Sequence, residues 1–155
     1  MAEEHQRPLI GTHLMLIQNG RLLLQKRNSG ALKGVYTPVS GHVDGHETVI
    51  EALVREAKEE AGIVIRPEDL EVKVIAHLPD APYKGRREDI INFFCFTDKY
   101  EGVLENKEPE KCESLAFYDV ENLPADLMNH IFDVIKAYKS GQTYVVWHGK
   151  NAKHT

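Results

Sequence analysis

Cysteine is scarce in this chain, which carries only Cys95 and Cys112. The two form neither a C-x-x-C motif nor the spacing of a zinc finger, so neither a redox motif nor a cysteine-based zinc module is indicated. Cys95 lies in the apolar run from Ile90 to Phe96 and is expected to be a buried thiol that packs as a small hydrophobe. Cys112 stands among charged residues and is expected in a loop.

Long apolar runs and an excess of basic charge are also lacking. No apolar run approaches the ~18 residues that cross a bilayer. Residues Met1 to Gln6 lack the basic start and apolar stretch of a secretory signal, so a cytoplasmic protein is expected. The formal net charge of −5 argues against a nucleic-acid polymer or a membrane as partner. A small phosphorylated molecule remains compatible with this charge if metal cations lie between protein and ligand.

Internal repeats, low-complexity segments and linkers are absent as well. A chain of 155 residues is expected to form a single domain over residues 1–155, with an ordered core of about 8–147. Strands are predicted before, between and after two helices. That order is typical of an α+β fold or of an α/β/α layered domain.

Turn residues divide the chain into these elements. Asn19-Gly20 between two apolar runs predicts a hairpin of strands over Leu9–Ile17 and Arg21–Arg27. Apolar residues on both faces predict a central strand over Ile90–Thr97. The remaining predictions are short strands at Val35–Thr37, Leu70–Leu78, Ser114–Tyr118 and Tyr144–Trp147, loops at Ser40–Glu47 and Asp80–Asp89, and a helix from Pro124 to Gly141 with the apolar stripe Leu127, Ile131, Val134, Ile135 and Tyr138.

Another helix is predicted over Thr48–Ala61, where Gly62 offers a C-terminal cap. At roughly 100° per residue, its apolar residues form a single arc. Glu51, Arg55 and Lys58 lie on the opposite side, where contact with solvent is expected.

Three carboxylates, those of Glu56, Glu59 and Glu60, occupy adjoining positions at the edge of this arc. They repel one another and are expected to have raised pKa values unless a cation joins them. A solvated acidic face is the ordinary alternative, but Glu60 points partly towards the core. Carboxylate oxygens suit Mg²⁺ or Mn²⁺. His42 and His46 are four residues apart, but they fall in a predicted loop and are interpreted as variable loop positions rather than zinc ligands.

The segment from Gly41 to Ile63 resembles the Nudix box, G-x5-E-x7-R-E-U-x-E-E-x-G-U, in which U is a bulky apolar residue. Ala57, at the first U position, is smaller than usual and is the one departure. Seven fixed residues, each used at roughly 5–10% of positions, make a chance match about one in ten million or rarer. The matched positions are Gly41, Glu47, Arg55, Glu56, Glu59, Glu60, Gly62 and Ile63.

The resemblance implies a fold, a cofactor and a set of site residues. The implied fold is an α/β/α sandwich with a mixed central sheet, in which the box forms a loop–helix–loop platform. Glu47 and Arg55 are expected to form a salt bridge that holds the loop against the helix, a supporting role in catalysis. Mg²⁺ is the implied cofactor, for which Mn²⁺ can substitute, and its expected ligands are Glu56, Glu59, Glu60 and the backbone carbonyl of Ser40.

A carboxylate is expected to take the proton of the attacking water. In the family this base is a box glutamate, here Glu56 or Glu59, or an acid of a distant loop. Arg27 matches a position where MutT-like relatives often carry a basic residue that faces the substrate. The basic segment with Lys84, Arg86 and Arg87 is either a phosphate contact or a solvated turn. The candidate bases in loops are Glu88, Asp89, Glu105, Glu108 and Glu110.

Three functions are compatible with the resemblance, all with a small nucleotide as partner. MutT-like hydrolysis of a (deoxy)nucleoside triphosphate to the monophosphate and pyrophosphate is favoured, because the likeness to small MutT-like proteins runs from about Pro8 to Trp147. Hydrolysis of ADP-ribose or a nucleotide sugar is the alternative, indicated by Pro79, which stands 16 residues after Ile63. A non-catalytic nucleotide-binding module is disfavoured, since the box glutamates are intact.

Overall fold

The computed structural model describes residues 4–148. In this part of the chain a mixed sheet of eight strands lies between two α-helices. The strands are Leu9–Gln18 (β1), Arg21–Arg27 (β2), Tyr36–Thr37 (β3), Ser40–His42 (β4), Glu71–Tyr83 (β5), Arg86–Thr97 (β6), Cys112–Asp119 (β7) and Tyr144–Val146 (β8), and the helices are Val49–Ala61 (α1) and Asn129–Ser140 (α2).

The sheet is mixed because two of its pairings are parallel. The strand order is β3-β2-β1-β6-β5-β8, with β4 paired to β1 and β7 paired to β2. β1 runs parallel to β6, and β5 runs parallel to β8, while the other pairs are antiparallel. A parallel pair needs a long crossover. Between β1 and β6 that crossover contains α1, so the topology places the box helix against the sheet.

Successive side chains of β1 point to opposite faces of the sheet and contribute to two apolar layers. Leu14 and Leu16 pack into the cluster beneath α1. Met15, between them, packs with Phe94 in the cluster beneath α2. Side chains that alternate along a strand point to opposite faces of the sheet, so a strand buried on both faces places one core under each helix. The predicted α/β/α sandwich with a mixed central sheet is confirmed.

The hairpin turn and the glycine cap of α1 act as the sequence predicts, and the structure adds an N-terminal cap. Asn19 and Gly20 have φ values of 52° and 74°, as a two-residue hairpin turn requires, and Gln18 pairs with Arg21. Thr48 caps α1 by accepting from the backbone N–H of Glu51. At the other end Gly62 has a φ of 69°, which glycine adopts without steric cost. The predicted hairpin and first helix are confirmed.

The predicted loop over Asp80–Asp89 is wrong. β5 continues to Tyr83 and β6 begins at Arg86, so only Lys84 and Gly85 form the turn, with φ values of 46° and 78°. Within residues 4–148 these strand ends pair only with each other. All of their side chains except that of Ala81 are at least partly exposed, so a full alternation of apolar residues is not required. The Ser40–Glu47 loop was also predicted too long, since Ser40–His42 forms β4 against β1.

The second helix begins later than predicted, at Asn129 rather than at Pro124. The backbone before it is engaged by β3. The Tyr36 N–H donates to the carbonyl of Asp126, and the Met128 N–H donates to the carbonyl of Tyr36. These bonds compete with the first helical turn, so residues 124–127 form a separate turn, with the Leu127 N–H bonded to the Pro124 carbonyl, and the helix begins only after Met128.

The two cysteines have similar environments. Cys95 is fully buried, as predicted. Cys112 was predicted in a loop, which is wrong. It begins β7, is only 3% exposed, and donates from Sγ to the carbonyl oxygen of Ser114 at 3.0 Å.

Among residues 4–148, no helix is both long enough and apolar enough to cross a membrane.

A polar cluster is enclosed on the α2 side of the sheet. His13 and His130 are 7% and 4% exposed, with ring centroids 6.2 Å apart. Nδ2 of Asn92 lies 3.4 Å from Nε2 of His130, and the His13 ring stacks on Phe94. Burial lowers the pKa of His13 to about 4 and that of His130 to about 3. Both imidazoles are therefore neutral at pH 7.

Acid is expected to destabilise the protein through this cluster. The unfolded chain binds a proton at each histidine near pH 6.5, whereas the folded chain binds them only near pH 4 and pH 3. Stability present above pH 6.5 is therefore lost as the pH falls, by up to about 1.4 kcal/mol per pH unit for each histidine. Chemical denaturation of wild type and His130→Phe between pH 6.5 and 4.5 measures this slope. A slope unchanged in His130→Phe would contradict the assignment.

Candidate active site

The start of the box is tied to the centre of the sheet. β4 pairs with β1 through Thr12↔Gly41 and His13↔Ser40. A side chain at Gly41 would overlap the carboxylate of Glu56 on α1. A glycine is therefore required here because the strand and the helix approach closely. Without a side chain at Gly41, there is space for the Glu56 carboxylate.

Arg55 holds the platform together. Its Nε and Nη2 donate to the two carboxylate oxygens of Glu47 at 2.8 and 3.0 Å, the bidentate geometry of a strong ion pair. Its Nη1 donates to Glu56 at 2.9 Å and to Glu59 at 3.3 Å. Its Nη2 also reaches the carbonyl oxygen of His42 at 3.4 Å. One guanidinium thus joins the loop to two glutamates of α1.

This network corrects the orientation expected for Arg55. The side chain was predicted on the solvent side of the helix, but it is only 32% exposed, because the loop before α1 folds across it. The hydrogen bond from Arg55 lowers the pKa of Glu47, and the bond to Glu47 raises the pKa of Arg55. Lys58 and Glu51, also expected on that side, are exposed.

Glu60 lies in a different environment. Its Oε2 accepts from the backbone N–H of Ser40 at 3.3 Å and from Nε2 of Gln25 at 3.4 Å. Burial, followed by repulsion from Glu56, raises the pKa of Glu60 to about 8. Burial also raises the pKa of Glu56. Two half-buried carboxylates that repel each other form a site that a cation would stabilise.

The donor set fits a hard divalent cation. Carboxylate oxygens are the ligands that Mg²⁺ and Mn²⁺ prefer. Within residues 4–148, no three acidic, histidine or cysteine side chains already converge as a metal site. Glu56 and Glu59 bond to Arg55, while Glu60 turns towards Ser40. The Ser40 group that contacts Glu60 is its N–H, whereas the group expected as a metal ligand is its carbonyl.

Glu108 is the loop acid that the structure brings to the platform. Its charge raises the pKa of both Glu56 and Glu60. Three other loop acids that were candidates for the general base form contacts elsewhere. Glu88 pairs with Arg86 at 2.5 Å, Glu105 pairs with Lys107 at 3.0 Å, and Asp89 accepts from the Asp80 N–H at 2.9 Å.

Arg27 approaches the platform from β2. Its positive charge opposes part of the rise in pKa that burial produces at Glu60. Its Nε is buried and has no hydrogen-bond partner among the described residues. Because a buried guanidinium N–H normally finds an acceptor, this one is available to an anionic oxygen. The position agrees with the expected contact with substrate, which stays a prediction.

Two residues near the platform were missed from the sequence. Gln25 is buried next to Glu60, and an amide following the apolar run Leu22–Leu24 was the available sign. Tyr83 contacts the platform loop through His42, with its hydroxyl 3.0 Å from Nε2. No sequence pattern indicated that contact. His46 is exposed, and His42 is engaged by Tyr83, so the zinc alternative gains no support.

Comparison with known proteins gives consistent results. Residues 9–138 match the NUDIX domain family. An ADP-ribose pyrophosphatase of Methanocaldococcus jannaschii is 30% identical over 131 residues, 84% of this chain and 73% of that protein. The NAD-capped RNA hydrolase NudC of Stutzerimonas stutzeri is 27% identical over 122 residues, 79% of this chain and 41% of that protein.

A solved structure gives the same fold. The crystal structure of a MutT NUDIX hydrolase from Burkholderia pseudomallei has a TM-score of 0.75 at 24% identity, with 84% of this chain and 98% of that chain covered. The family match spans most of the chain. This protein therefore belongs to the Nudix family and is a Nudix pyrophosphohydrolase.

Proposed function

We propose that this enzyme uses Mg²⁺, for which Mn²⁺ can substitute, to hydrolyse the pyrophosphate bond of a nucleoside diphosphate derivative. The observation that supports this most is the half-buried Glu60 carboxylate, whose pKa is raised to about 8 by burial and then by repulsion from Glu56. Such a cluster is costly without a cation. The residues proposed to hold the ion are Glu56, Glu59, Glu60 and the backbone carbonyl of Ser40.

The chemistry divides among a few side chains. When bound, the metal neutralises phosphate oxygens and lowers the pKa of a water molecule. Arg55 positions Glu56 and Glu59 by hydrogen bonds from one nitrogen, and Glu47 holds Arg55 in place. Arg27 offers its free Nε–H to a phosphate oxygen of the substrate.

Glu108 is our candidate for the general base, ahead of Glu56 and Glu59. Both box glutamates accept hydrogen bonds from Arg55 and are also proposed to hold the metal ion, so their oxygens are already engaged. Glu108 lies close enough to raise the pKa of Glu56 and Glu60.

Glu108→Gln is expected to lower kcat by about 10²-fold and to remove the acid limb of the pH–rate profile, since an amide cannot take the proton. Glu105→Gln, on the same loop, is the matched control. Wild-type kcat and an unchanged acid limb in Glu108→Gln would return the role to the box glutamates. The measurement is kcat against pH at saturating substrate and metal.

For the substrate, ADP-ribose and related nucleotide sugars now rank above nucleoside triphosphates. The sequence alone favoured triphosphates. The relative that is 30% identical over most of this chain is named as an ADP-ribose pyrophosphatase. The MutT structure is only 24% identical, and likeness at that level supports the fold rather than the substrate. Pro79, which indicated the ADP-ribose class, lies half-buried in β5.

Triphosphates remain the second candidate, and a substrate panel separates the two. ADP-ribose, nucleotide sugars, and natural and oxidised triphosphates are incubated with Mg²⁺, and kcat/KM is compared because this ratio measures discrimination. We expect ADP-ribose to exceed every triphosphate by at least ~10-fold and to yield AMP and ribose 5-phosphate. A triphosphate that exceeds ADP-ribose and yields pyrophosphate would restore the MutT-like function.

A further inference from the structure

The β5–β6 hairpin projects beyond the sheet, and its end is held on the box loop. Strand β1 pairs with β6 only from Ile90 onward, and β8 pairs with β5 only over Ile75–His77. Among residues 4–148, the hairpin tip, Tyr83–Arg86, therefore has no strand neighbour outside the hairpin. Instead, the Tyr83 hydroxyl lies 3.0 Å from Nε2 of His42, with the rings edge to face at 5.4 Å.

His42 connects this tip to the glutamate platform. Its carbonyl oxygen accepts from Nη2 of Arg55, which also bonds Glu47. The preceding residue, Gly41, lies directly against Glu56. A chain of two hydrogen bonds thus runs from Tyr83 through His42 to Arg55, and it places the hairpin tip at the border of the site.

The charges of the hairpin are not equivalent. Arg87 is neutralised by Asp80, with Nε 3.1 Å from Oδ1, and Arg86 is neutralised by Glu88. Lys84, unlike the two arginines, makes no ion pair with any residue in 4–148. Its Nζ lies 5.3 Å from the centroid of the Tyr83 ring, which limits where the ammonium can go.

We propose that the hairpin tip is part of the substrate site, where Lys84 binds an anionic oxygen of the substrate's phosphates and Tyr83 positions the tip through His42. This inference rests on the proposed function, because it assumes a phosphorylated substrate at the glutamate platform. A solvated turn would explain an exposed lysine, but it would not require the neighbouring tyrosine to be bonded to the box loop. Lys84 is then a binding residue, and Tyr83 is a positioning residue.

Lys84→Gln tests the contact by removing the charge at similar length. We expect KM to rise about 5-fold or more, with kcat changed less than about 2-fold and a weaker dependence of KM on ionic strength. Lys84→Arg should restore most of the binding. Lys73→Gln is the control, since Lys73 lies in β5, pairs with Glu71 at 3.5 Å and has its Nζ 5.7 Å from the ring of Tyr138 on α2.

Tyr83→Phe tests the positioning role, because it removes only the hydroxyl that contacts His42. We expect KM to rise by about 3-fold, less than in Lys84→Gln. In the double variant of Tyr83→Phe and Lys84→Gln, the rise in KM should be smaller than the product of the two single rises. A purely structural role for Tyr83 would lower thermal stability and leave the two effects on KM independent. That result would overturn its positioning role.

Binding measured without turnover separates this inference from the proposed function. The probe is inorganic pyrophosphate with Mg²⁺, titrated calorimetrically into wild type, Lys84→Gln and Lys73→Gln. We expect Kd to rise about 5-fold in Lys84→Gln alone. If wild type hydrolysed no substrate of the panel, the proposed function would fail while this titration still decided the role of Lys84. Equal Kd values in wild type and Lys84→Gln, or no binding to wild type, would overturn the inference.

Discussion

Glu60→Gln is expected to lower kcat by at least ~10²-fold, because it removes a carboxylate proposed to hold the metal ion. The fold should survive the change. The backbone N–H of Ser40 and the amide of Gln25 both donate to Oε2 of Glu60, and the amide oxygen of glutamine can accept in its place. Since burial raises the pKa of Glu60 to about 8, loss of this charge should leave the thermal stability of the metal-free protein unchanged or higher.

Two comparisons make this result specific. Glu59→Gln is expected to show a similar loss of kcat, because Glu59 is also a proposed ligand. Glu68→Gln changes an exposed acid in the short turn before β5 and should have wild-type kinetics. Kinetics are followed against Mg²⁺ concentration, and melting is followed with and without metal. Full activity of Glu60→Gln with metal still required would remove Glu60 from the ligand set.

Arg55→Ala is expected to damage both stability and rate. The variant leaves Glu47 without its bidentate partner and frees the carboxylates of Glu56 and Glu59 to repel each other. We expect Tm to fall by about 5 °C and kcat/KM to fall by at least ~10²-fold, because the proposed metal ligands lose the group that positions them.

Lys58→Ala is the matched control on the same helix. The Lys58 side chain is exposed, and it makes no hydrogen bond to the Arg55 network among the described residues. Its variant should therefore melt and react like wild type. Thermal melting and steady-state kinetics of the two variants are compared under identical metal conditions. Equivalent behaviour of Arg55→Ala and Lys58→Ala would show that the network does not support the site.

The sequence was sufficient where a residue acts through its own backbone. Asn19-Gly20 specified the first hairpin because few residues adopt positive φ without strain. Gly62 specified the end of α1 because it adopts the left-handed conformation that closes a helix without steric cost. The spacing of the box likewise indicated the glutamates that share one face, since helical geometry converts spacing into direction.

The sequence misled where a distant segment competes for the same groups. Pro124 suggested a helix start, but β3 occupies the backbone of Asp126 and Met128. Polar residues suggested a loop over Asp80–Asp89, but strand pairing does not require apolar side chains where a hairpin extends beyond its neighbouring strands. Helical periodicity placed Arg55 in solvent, because periodicity describes one helix and omits the loop that covers it.

The sequence by itself determined the family pattern, the layered fold and the acidic helix face, because these depend on local conformation and on residue spacing. Only the tertiary structure decided which loop acid approaches the platform, which hairpin lysine lacks an ion-pair partner, and that Tyr83 contacts His42. Those relations join residues that lie far apart along the chain. These contacts depend on which residues folding brings together and buries, and the residue spacing within a single segment does not specify that.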